Sequence, residues 1–262
     1  MPPHAAPALL SRVVIALRSA GCVFAEDEAE LILATARTPD EVSALTDRRI
    51  AGEPLEQVLG WAGFHGLRVT VEPGVFVPRR RTEFLVDRAL AQHPHATVVV
   101  DLCCGSGAVG AALAAALGTV ELHAADIDPV AVRCARGNIA AYGGHVHAGD
   151  LYEALPAALR GRVDLLAANV PYVPTAEIAL LPAEARDHEP RTALDGGSDG
   201  LDLLRRVAAG ASGWLAPGGC LLVETSEHQT DAALDAFGEA GLTSRLATDE
   251  ELYANVVIGV RA

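Results

Sequence analysis

Two hydrophobic patterns divide the chain. Over the first fifty or so residues, apolar side chains recur every three or four positions, which is typical of amphipathic helices. At the third of these stretches, Thr38 can cap a helix, Pro39 suits its first position and Glu41 can complete a capping box. We predict three helices here, over residues 7–20, 26–37 and 38–52.

The rest of the chain alternates short β-branched runs with stretches of helical period. This alternation predicts βαβ units and a parallel, doubly wound sheet. Near the end, two apolar runs within residues 242–260 have no helix between them, which predicts an antiparallel hairpin at one sheet edge. The predicted parallel strands cover residues 97–102, 120–126, 145–149, 163–169 and 219–225. We predict three parts: a helical domain over 1–53, a linker with a β-hairpin over 54–82, and an α/β domain over 83–262.

Charge and composition exclude some classes of protein. The 262 residues include 20 Lys and Arg against 34 Asp and Glu, so the net charge is −14, which disfavours sequence-blind binding to nucleic acid. No apolar run is long enough for a membrane span, and Arg12 and Arg18 lie inside the first apolar stretch, unlike a secretory signal. Five cysteines without a CxxC pair predict a reducing, cytoplasmic compartment and no metal site.

A glycine-rich loop follows the first predicted parallel strand. Asp101 ends the strand, and Gly105, Gly107 and Gly110 form a GxGxxG pattern before a helix. The next strand ends in Asp126, where a carboxylate can hold a ribose diol. NAD and S-adenosylmethionine both fit this arrangement.

Two further acids favour S-adenosylmethionine. Asp101, in a D-x-x-x-G-x-G frame, suits a cationic cofactor that bears an amino acid better than it suits a pyrophosphate. Asp150 lies at the tip of the third strand, beside the expected position of an adenine. By contrast, Asp128 is placed to cap the helix that begins at Pro129, so we assign it to structure.

The tip of the fourth strand carries Asn169, Val170, Pro171 and Tyr172. A primary amide nitrogen is a poor nucleophile because its lone pair is delocalised into the carbonyl. Two acceptors that receive its N–H bonds would hold the nitrogen and orient it towards a methyl donor. Asn169 Oδ1 can be one acceptor and a backbone carbonyl of the next residues the other, so positioning would dominate catalysis.

The chain resembles the HemK/PrmC group of protein-glutamine methyltransferases, whose signature at this strand tip is Asn-Pro-Pro-Tyr. The resemblance extends over "GEPLEQVLG", "VPRRRTE", "DLCCGSGAVG", "AADIDPVAVRCARGN", "EPRTALDGG" and "LAPGGCLLVETSEHQ". It implies a class I S-adenosylmethionine-dependent methyltransferase with a mostly parallel, Rossmann-like sheet of seven strands. It also implies that the N-terminal helical domain recognises the substrate. The acceptor would be a glutamine side chain in a protein of the translation machinery, of the release-factor or ribosomal-protein type. Apart from the resemblance, we expect a monomer.

The resemblance also carries residue roles. The Val170 carbonyl would be the second acceptor, with Tyr172 packing on the flat amide, and Leu151 would contact the adenine. The residues expected to bind the cofactor are Asp101, Cys103, Cys104, Gly105, Ser106, Gly107, Asp126, Ile127, Asp150, Leu151 and Asn169.

The sequence departs from the family pattern at several positions. Val170 replaces the first proline of the signature, although Pro171 still restricts it to an extended conformation. Arg80 and Arg81 replace a proline and an acid, which leaves open a solvated charged turn or a site for an acidic segment of the partner.

Three alternatives compete with a protein-glutamine methyltransferase. A methyltransferase for the exocyclic amine of adenine would present the same planar NH2, but the acidic charge and the missing basic, aromatic-rich region disfavour it. A NAD-dependent oxidoreductase needs a catalytic His or Lys in a second domain, which the sequence does not show. A catalytically idle binding module would not need the complete set of site residues.

Overall fold

The N-terminal region is helical in the computed structural model, which describes residues 5–262. Residues 1–4 of the predicted helical domain lie outside the described residues. Four helices follow one another: α1 (Ala5–Ser19), α2 (Ala25–Thr35), α3 (Pro39–Ile50) and α4 (Leu55–Leu59). Their apolar faces form a hydrophobic cluster of their own, which includes Leu9, Val13, Leu17, Ala29, Ile32, Val42 and Leu59. The three predicted helices are therefore confirmed, with ends that differ slightly from the prediction.

The cap of α3 differs from the predicted capping box in one detail. The Thr38 hydroxyl accepts a hydrogen bond from Glu41 N at 3.2 Å, as expected. The Glu41 carboxylate, however, accepts from Arg37 N at 2.6 Å, one residue before the cap. Both bonds still satisfy backbone donors that the helix start would otherwise leave without partners.

A β-hairpin links the helical region to the large sheet. Its strands are β1 (Trp61–Phe64) and β2 (Leu67–Thr70). The two turn residues, His65 and Gly66, both have positive φ, of 47° and 76°. Two such residues in a two-residue loop are the signature of a type I′ turn, which matches the twist of the flanking strands.

The large sheet has seven strands. They are β3 (Val98–Leu102), β4 (Glu121–Asp126), β5 (His145–Ala148), β6 (Val163–Ala168), β7 (Leu215–Thr225), β8 (Thr243–Asp249) and β9 (Ala254–Val260). Their order in the sheet is β5-β4-β3-β6-β7-β9-β8. Strands β3 to β7 pair in parallel, whereas β9 runs antiparallel to both β7 and β8. The mostly parallel sheet and its C-terminal antiparallel hairpin are therefore confirmed.

Helices cover both faces of the sheet. They are α5 (Glu83–Gln92), α6 (Ala108–Leu117), α7 (Pro129–Ile139), α8 (Ala183–His188), α9 (Asp202–Ala211) and α10 (Thr230–Glu239). Alternate strand residues face opposite sides, so Val99 packs with α5, α6 and α7 on one face while Val98 and Val100 pack with α9 and α10 on the other. In the part of the chain that the structure describes, none of the helices combines the length and the apolar character that crossing a membrane requires.

The chain reverses its direction across the sheet at β3. From β3 it continues to β4 and β5 on one side and then returns to β6 and β7 on the other. In open α/β sheets, ligands bind outside the carboxyl ends of the strands at such a switch point. Asp101, Asp126 and Asn169 lie at or directly after the ends of β3, β4 and β6, so the topology brings them to one edge.

Candidate active site

A cavity of about 960 Å³ opens at the carboxyl ends of the parallel strands. Every predicted site residue except Gly107 lines it. The cavity is lined by the glycine loop, by the tips of β4 and β5, and by residues within 181–185 and 189–195. The predicted residues that line the cavity are Asp101, Cys103, Cys104, Gly105, Ser106, Asp126, Ile127, Asp150, Leu151, Asn169, Val170, Pro171 and Tyr172.

Gly107 has a packing role that the sequence pattern did not distinguish from ligand contact. It has a φ of 77°, and a Cβ at this position would lie 3.1 Å from the Cβ of Ala135 on α7. Gly110, further along the pattern, allows α6 to approach β3, and its N–H donates to Asp101 Oδ2 at 2.8 Å. The second and third glycines of the pattern therefore pack the helix, whereas Gly105 alone of the three lines the cavity.

Asp101 is a buried carboxyl group at the end of β3, with 1% of its surface exposed. Burial raises its pKa to about 7, and the charge of Asp126 acts in the same direction, while the hydrogen bond from Gly110 opposes both. A group that titrates near neutral pH on a cavity wall is typical of functional sites.

The tip of β4 holds Asp126 in a fixed orientation. Its carboxylate accepts hydrogen bonds from Gly105 N at 2.8 Å and from Asp128 N at 2.9 Å. Burial raises its pKa, although these hydrogen bonds oppose the rise. The backbone beside it is open, because Gly105 has a φ of 54° and a Cβ there would meet no atom within 4 Å.

These features fit a nucleoside-bearing cofactor. A half-buried carboxylate at the second strand tip is suited to accept hydrogen bonds from a ribose diol, and an open glycine lets the ligand approach the backbone. Ile127, next to Asp126, is 61% exposed at the cavity wall. Asp128 caps α7 as predicted, since its side chain accepts from Val130 N at 2.8 Å.

The tip of β5 contributes an acid and an apolar residue. Asp150 forms a 2.7 Å ion pair with Arg206 of α9, so part of its carboxylate is already engaged. Leu151 is buried and has a positive φ of 47°, which is rare for a leucine. Such a backbone persists where the surrounding structure fixes it, and here it directs Leu151 onto the cavity wall.

Asn169, directly after β6, leaves its amide oxygen available. Its Nδ2 lies 3.5 Å from the Thr82 hydroxyl. Within residues 5–262, no protein group donates a hydrogen bond to Asn169 Oδ1 or to the carbonyl oxygen of Val170. Both residues line the cavity, and neither acceptor has a protein donor among the described residues.

Tyr172 is held at both its hydroxyl and its backbone. Arg81 Nη2 donates to the phenol oxygen, and the phenol lies 3.5 Å from Glu224 Oε1 on β7. Burial raises the pKa of Tyr172 to about 12, and the charge of Glu224 contributes. The Tyr172 carbonyl accepts from Gln229 Nε2 at 2.9 Å.

A loop with the sequence "LDGGSDG" (residues 194–200) packs against the backbone of Tyr172 and Val173. Val173 N donates to Leu194 O at 3.0 Å, and Gly196 N donates to Val173 O at 2.9 Å. At Gly200 a Cβ would lie 2.2 Å from the Tyr172 carbonyl oxygen, so only glycine fits there. The contact explains why the glycine-rich loop lies beside this strand tip.

A partly buried ion pair joins two distant segments on the cavity wall. Arg79 Nη2 contacts both carboxylate oxygens of Glu189, at 2.6 and 2.7 Å. Glu189 Oε1 also accepts from Val77 N at 3.1 Å. Burial raises the pKa of Glu189, and Arg79 opposes that rise.

Sequence reasoning did not assign Thr82, Glu224 and Gln229 to the site. Each touches a predicted residue from a segment far away in the chain, so no local spacing reveals the contact. The quoted resemblance over "VPRRRTE" and "VETSEHQ" was the only signal that these segments belong together.

Comparisons with known proteins give a family and several relatives. Residues 66–183 match the family described as Methyltransferase small domain. A release factor glutamine methyltransferase of Geobacter sulfurreducens is 38% identical over 85% of this chain and 79% of that protein. One of Bordetella pertussis is 41% identical over 76% of this chain and 74% of that protein.

Two solved structures share the fold. A methyltransferase from Pyrococcus furiosus superposes with a TM-score of 0.57 at 15% identity, covering 84% of this chain and 99% of that one. A ribosomal protein L11 methylase from Lactobacillus delbrueckii gives 0.50 at 16% identity, covering 70% and 78%. At these identities the likeness shows the fold alone.

The sheet order, the glycine loop and the family match define a class I S-adenosylmethionine-dependent methyltransferase. Within that class, the similarity to curated relatives over most of both chains is specific. The chain belongs to the family of release factor glutamine methyltransferases, the HemK/PrmC group.

Proposed function

We propose that this protein transfers a methyl group from S-adenosylmethionine to the side-chain amide nitrogen of a glutamine, and that the glutamine belongs to a translation release factor. The names of its relatives support this substrate. One observation of the structure carries the proposal: Asn169 Oδ1 and the Val170 carbonyl are adjacent acceptors without protein donors on the wall of the cavity.

The paired acceptors match the chemistry of a primary amide. An amide NH2 has two N–H bonds, and Asn169 Oδ1 and the Val170 carbonyl can accept one each. Holding both hydrogens fixes the plane of the amide and favours localisation of its lone pair on nitrogen. Orientation of this kind can supply a large share of a barrier reduction without an acid or base.

Tyr172 and Pro171 shape the acceptor site. Pro171 restricts Val170 to an extended backbone, so the Val170 carbonyl keeps its direction although valine replaces the first proline of the family signature. The Tyr172 ring would pack on the flat face of the amide and exclude water from it. We infer that the substitution of valine is tolerated because Pro171 provides the restraint.

The other half of the cavity would hold the cofactor, whose sulfonium makes the bound methyl group electrophilic. Asp126 would accept hydrogen bonds from the ribose hydroxyls, and Asp101 would face the amino group. Leu151 would pack on the adenine, with Ile127 beside it. The loop Cys103–Cys104–Gly105–Ser106 would contact the amino-acid portion through its backbone.

The N-terminal helices would recognise the protein substrate. Their contact with the cavity wall supports this role: Arg49 of α3 donates to Glu184 of α8 at 2.6 Å, and Glu184 lines the cavity. A substrate bound to the helices would thus lie next to the acceptor site. A release factor as substrate also implies a cytoplasmic enzyme, and we propose that it acts as a monomer.

The proposal is tested by methylation of a purified release factor with labelled cofactor, followed by mass spectrometry of its peptides. We expect one methyl group on the side chain of a single glutamine. A release factor with alanine at that position is the matched control and should remain unmodified. Transfer of the label to an adenine-containing oligonucleotide, with none to protein, would contradict the proposal.

A further inference from the structure

Arg81 lies between a buried carboxylate and the phenol of Tyr172. Its Nε donates to Glu224 Oε1 at 3.0 Å, and its Nη2 donates to the Tyr172 hydroxyl. The Glu224 side chain is 2% exposed, whereas Arg81 is 43% exposed and lines the cavity. Arg81 is therefore the residue through which the buried acid, the phenol and the cavity are connected.

Glu224 needs this cation. Its second oxygen, Oε2, is buried and has no hydrogen-bond partner among residues 5–262. A buried carboxylate without compensation is strongly unfavourable, so the attraction of Glu224 fixes the position of the Arg81 guanidinium. The planar guanidinium can then present a second N–H to another group in a defined direction.

The Tyr172 hydroxyl receives that second N–H. The phenol oxygen accepts from Arg81, and its own hydrogen can point to Glu224 Oε1 at 3.5 Å. A phenol that is held as both acceptor and donor cannot move away without breaking two contacts. The ring of Tyr172 is thereby kept at the cavity wall beside Asn169.

We propose that Arg81 is a positioning residue for methyl transfer: it ties the Tyr172 hydroxyl to Glu224 and so holds the ring in the orientation that packs on the acceptor amide. This inference rests on the proposed function of Asn169 and Tyr172. Arg81 acts through Tyr172 and takes no part in the chemistry itself.

The neighbouring arginines provide a contrast. Arg79 is engaged by Glu189, whose side chain is fully buried. Arg80 is exposed, is not among the residues that line the cavity, and forms no side-chain hydrogen bond or ion pair within residues 5–262. Arg80→Met is therefore a matched control for Arg81→Met, with the same change of charge one residue away.

The experiment measures kcat and KM for the release factor, together with calorimetric affinity for S-adenosylhomocysteine. We expect Arg81→Met to lower kcat/KM by about 10- to 100-fold, the range for a hydrogen bond to a charged group, with cofactor-product affinity unchanged within about threefold. Arg80→Met should stay within about twofold of the wild type. Because Arg81 acts through the phenol, the variant with both Arg81→Met and Tyr172→Phe should have a kcat/KM no lower than that of the less active single variant.

A second pair of variants separates positioning from charge compensation. Arg81→Met alone leaves Glu224 without its cation, so the melting temperature of this variant should be below that of the wild type. Adding Glu224→Gln removes the buried charge and should restore the melting temperature but not kcat/KM. Recovery of kcat/KM in this double variant, or additive effects of Arg81→Met and Tyr172→Phe, would overturn the inference.

Failure of the inference about Arg81 is distinguishable from failure of the proposed function. If the wild type methylates the glutamine and Arg81→Met behaves like Arg80→Met, this inference alone is overturned. If the wild type transfers no methyl group to glutamine, both the inference and the proposed function are overturned.

Discussion

When it is ionised, the buried Asp101 carboxylate should lower the free energy of unfolding of the cofactor-free protein. Its carboxyl is buried, and one oxygen accepts a 2.8 Å hydrogen bond from Gly110 N. Burial raises its pKa from 3.8 to about 7. Since the folded-state value lies above the unfolded value, ionisation at high pH favours unfolding, and Asp101→Asn should stabilise the cofactor-free protein.

The magnitude follows from the rise in pKa. At a pH well above 7, a rise of this size lowers the free energy of unfolding by roughly 4 kcal/mol. Asparagine keeps an oxygen for Gly110 N but adds an NH2 that needs a partner, which costs about 1–3 kcal/mol when it finds none. We therefore expect Asp101→Asn to raise the free energy of unfolding by about 1–3 kcal/mol at pH 8.

The gain should depend on pH in a defined direction. As the pH falls through 7, the folded protein binds a proton at Asp101. The destabilisation of the wild type by the buried carboxylate then becomes smaller, and so does the gain from Asp101→Asn. It should vanish as the pH approaches 3.8, the unfolded value. Urea unfolding of the wild type and Asp101→Asn at pH 8 and pH 5 measures this difference.

Asp164→Asn is the matched control. Although partial burial opposes it, hydrogen bonds from Thr97 and Val98 lower the pKa of Asp164. Asp164 therefore contributes stability above its unfolded pKa, and its replacement should lower the free energy of unfolding at pH 8. If Asp101→Asn is destabilising at pH 8, or if its effect is the same at pH 5, the reasoning about burial is refuted.

Two further predictions concern the cofactor and the N-terminal helices. Asp126→Ala should weaken the binding of S-adenosylhomocysteine, measured by calorimetry, by roughly 1.5–3 kcal/mol, the range for hydrogen bonds to a charged group. Unchanged affinity would exclude the proposed ribose contact. Arg49→Met should lower the urea-unfolding free energy by about 3–5 kcal/mol, because Glu28, bonded to Arg49 at 2.6 Å, would stay buried without its cation. Arg48→Met, at a more exposed pair, should cost less than about 1 kcal/mol, and equal losses would argue against a special role of Arg49.

Most of the sheet could be predicted from the sequence because its strands are short, apolar and separated by helices. The predicted strand 219–225 begins earlier than expected, at Leu215, and includes Pro217 and Gly218. The structure accommodates them where the register with β6 shifts between Val163 and Leu165.

The segment before α9 could not be predicted in the same way. Residues 175–180 and α8 contain no buried residue, so they show no hydrophobic period that would indicate a helix. They are placed instead by particular polar contacts, such as the ion pair of Glu184 with Arg49. A pairing between residues so far apart leaves no pattern in the local sequence.

The site was predictable where chemistry depends on strand tips. Asp101, Asp126 and Asn169 follow directly from strand ends and the direction of the chain. The roles of Gly107 and Arg81 required coordinates, because the same glycine pattern serves packing or ligand contact and the partner of Arg81 lies on β7.

The central claim is that Asn169 acts mainly on the acceptor amide and contributes little to cofactor binding. The most direct test compares kcat for glutamine methylation with the calorimetric affinity for S-adenosylhomocysteine in Asn169→Ala. We predict that kcat falls by a factor on the order of 1,000 while the affinity stays within about tenfold, as expected when an interaction of the transition state is removed. Equal losses of kcat and affinity, or a kcat close to that of the wild type, would contradict the account.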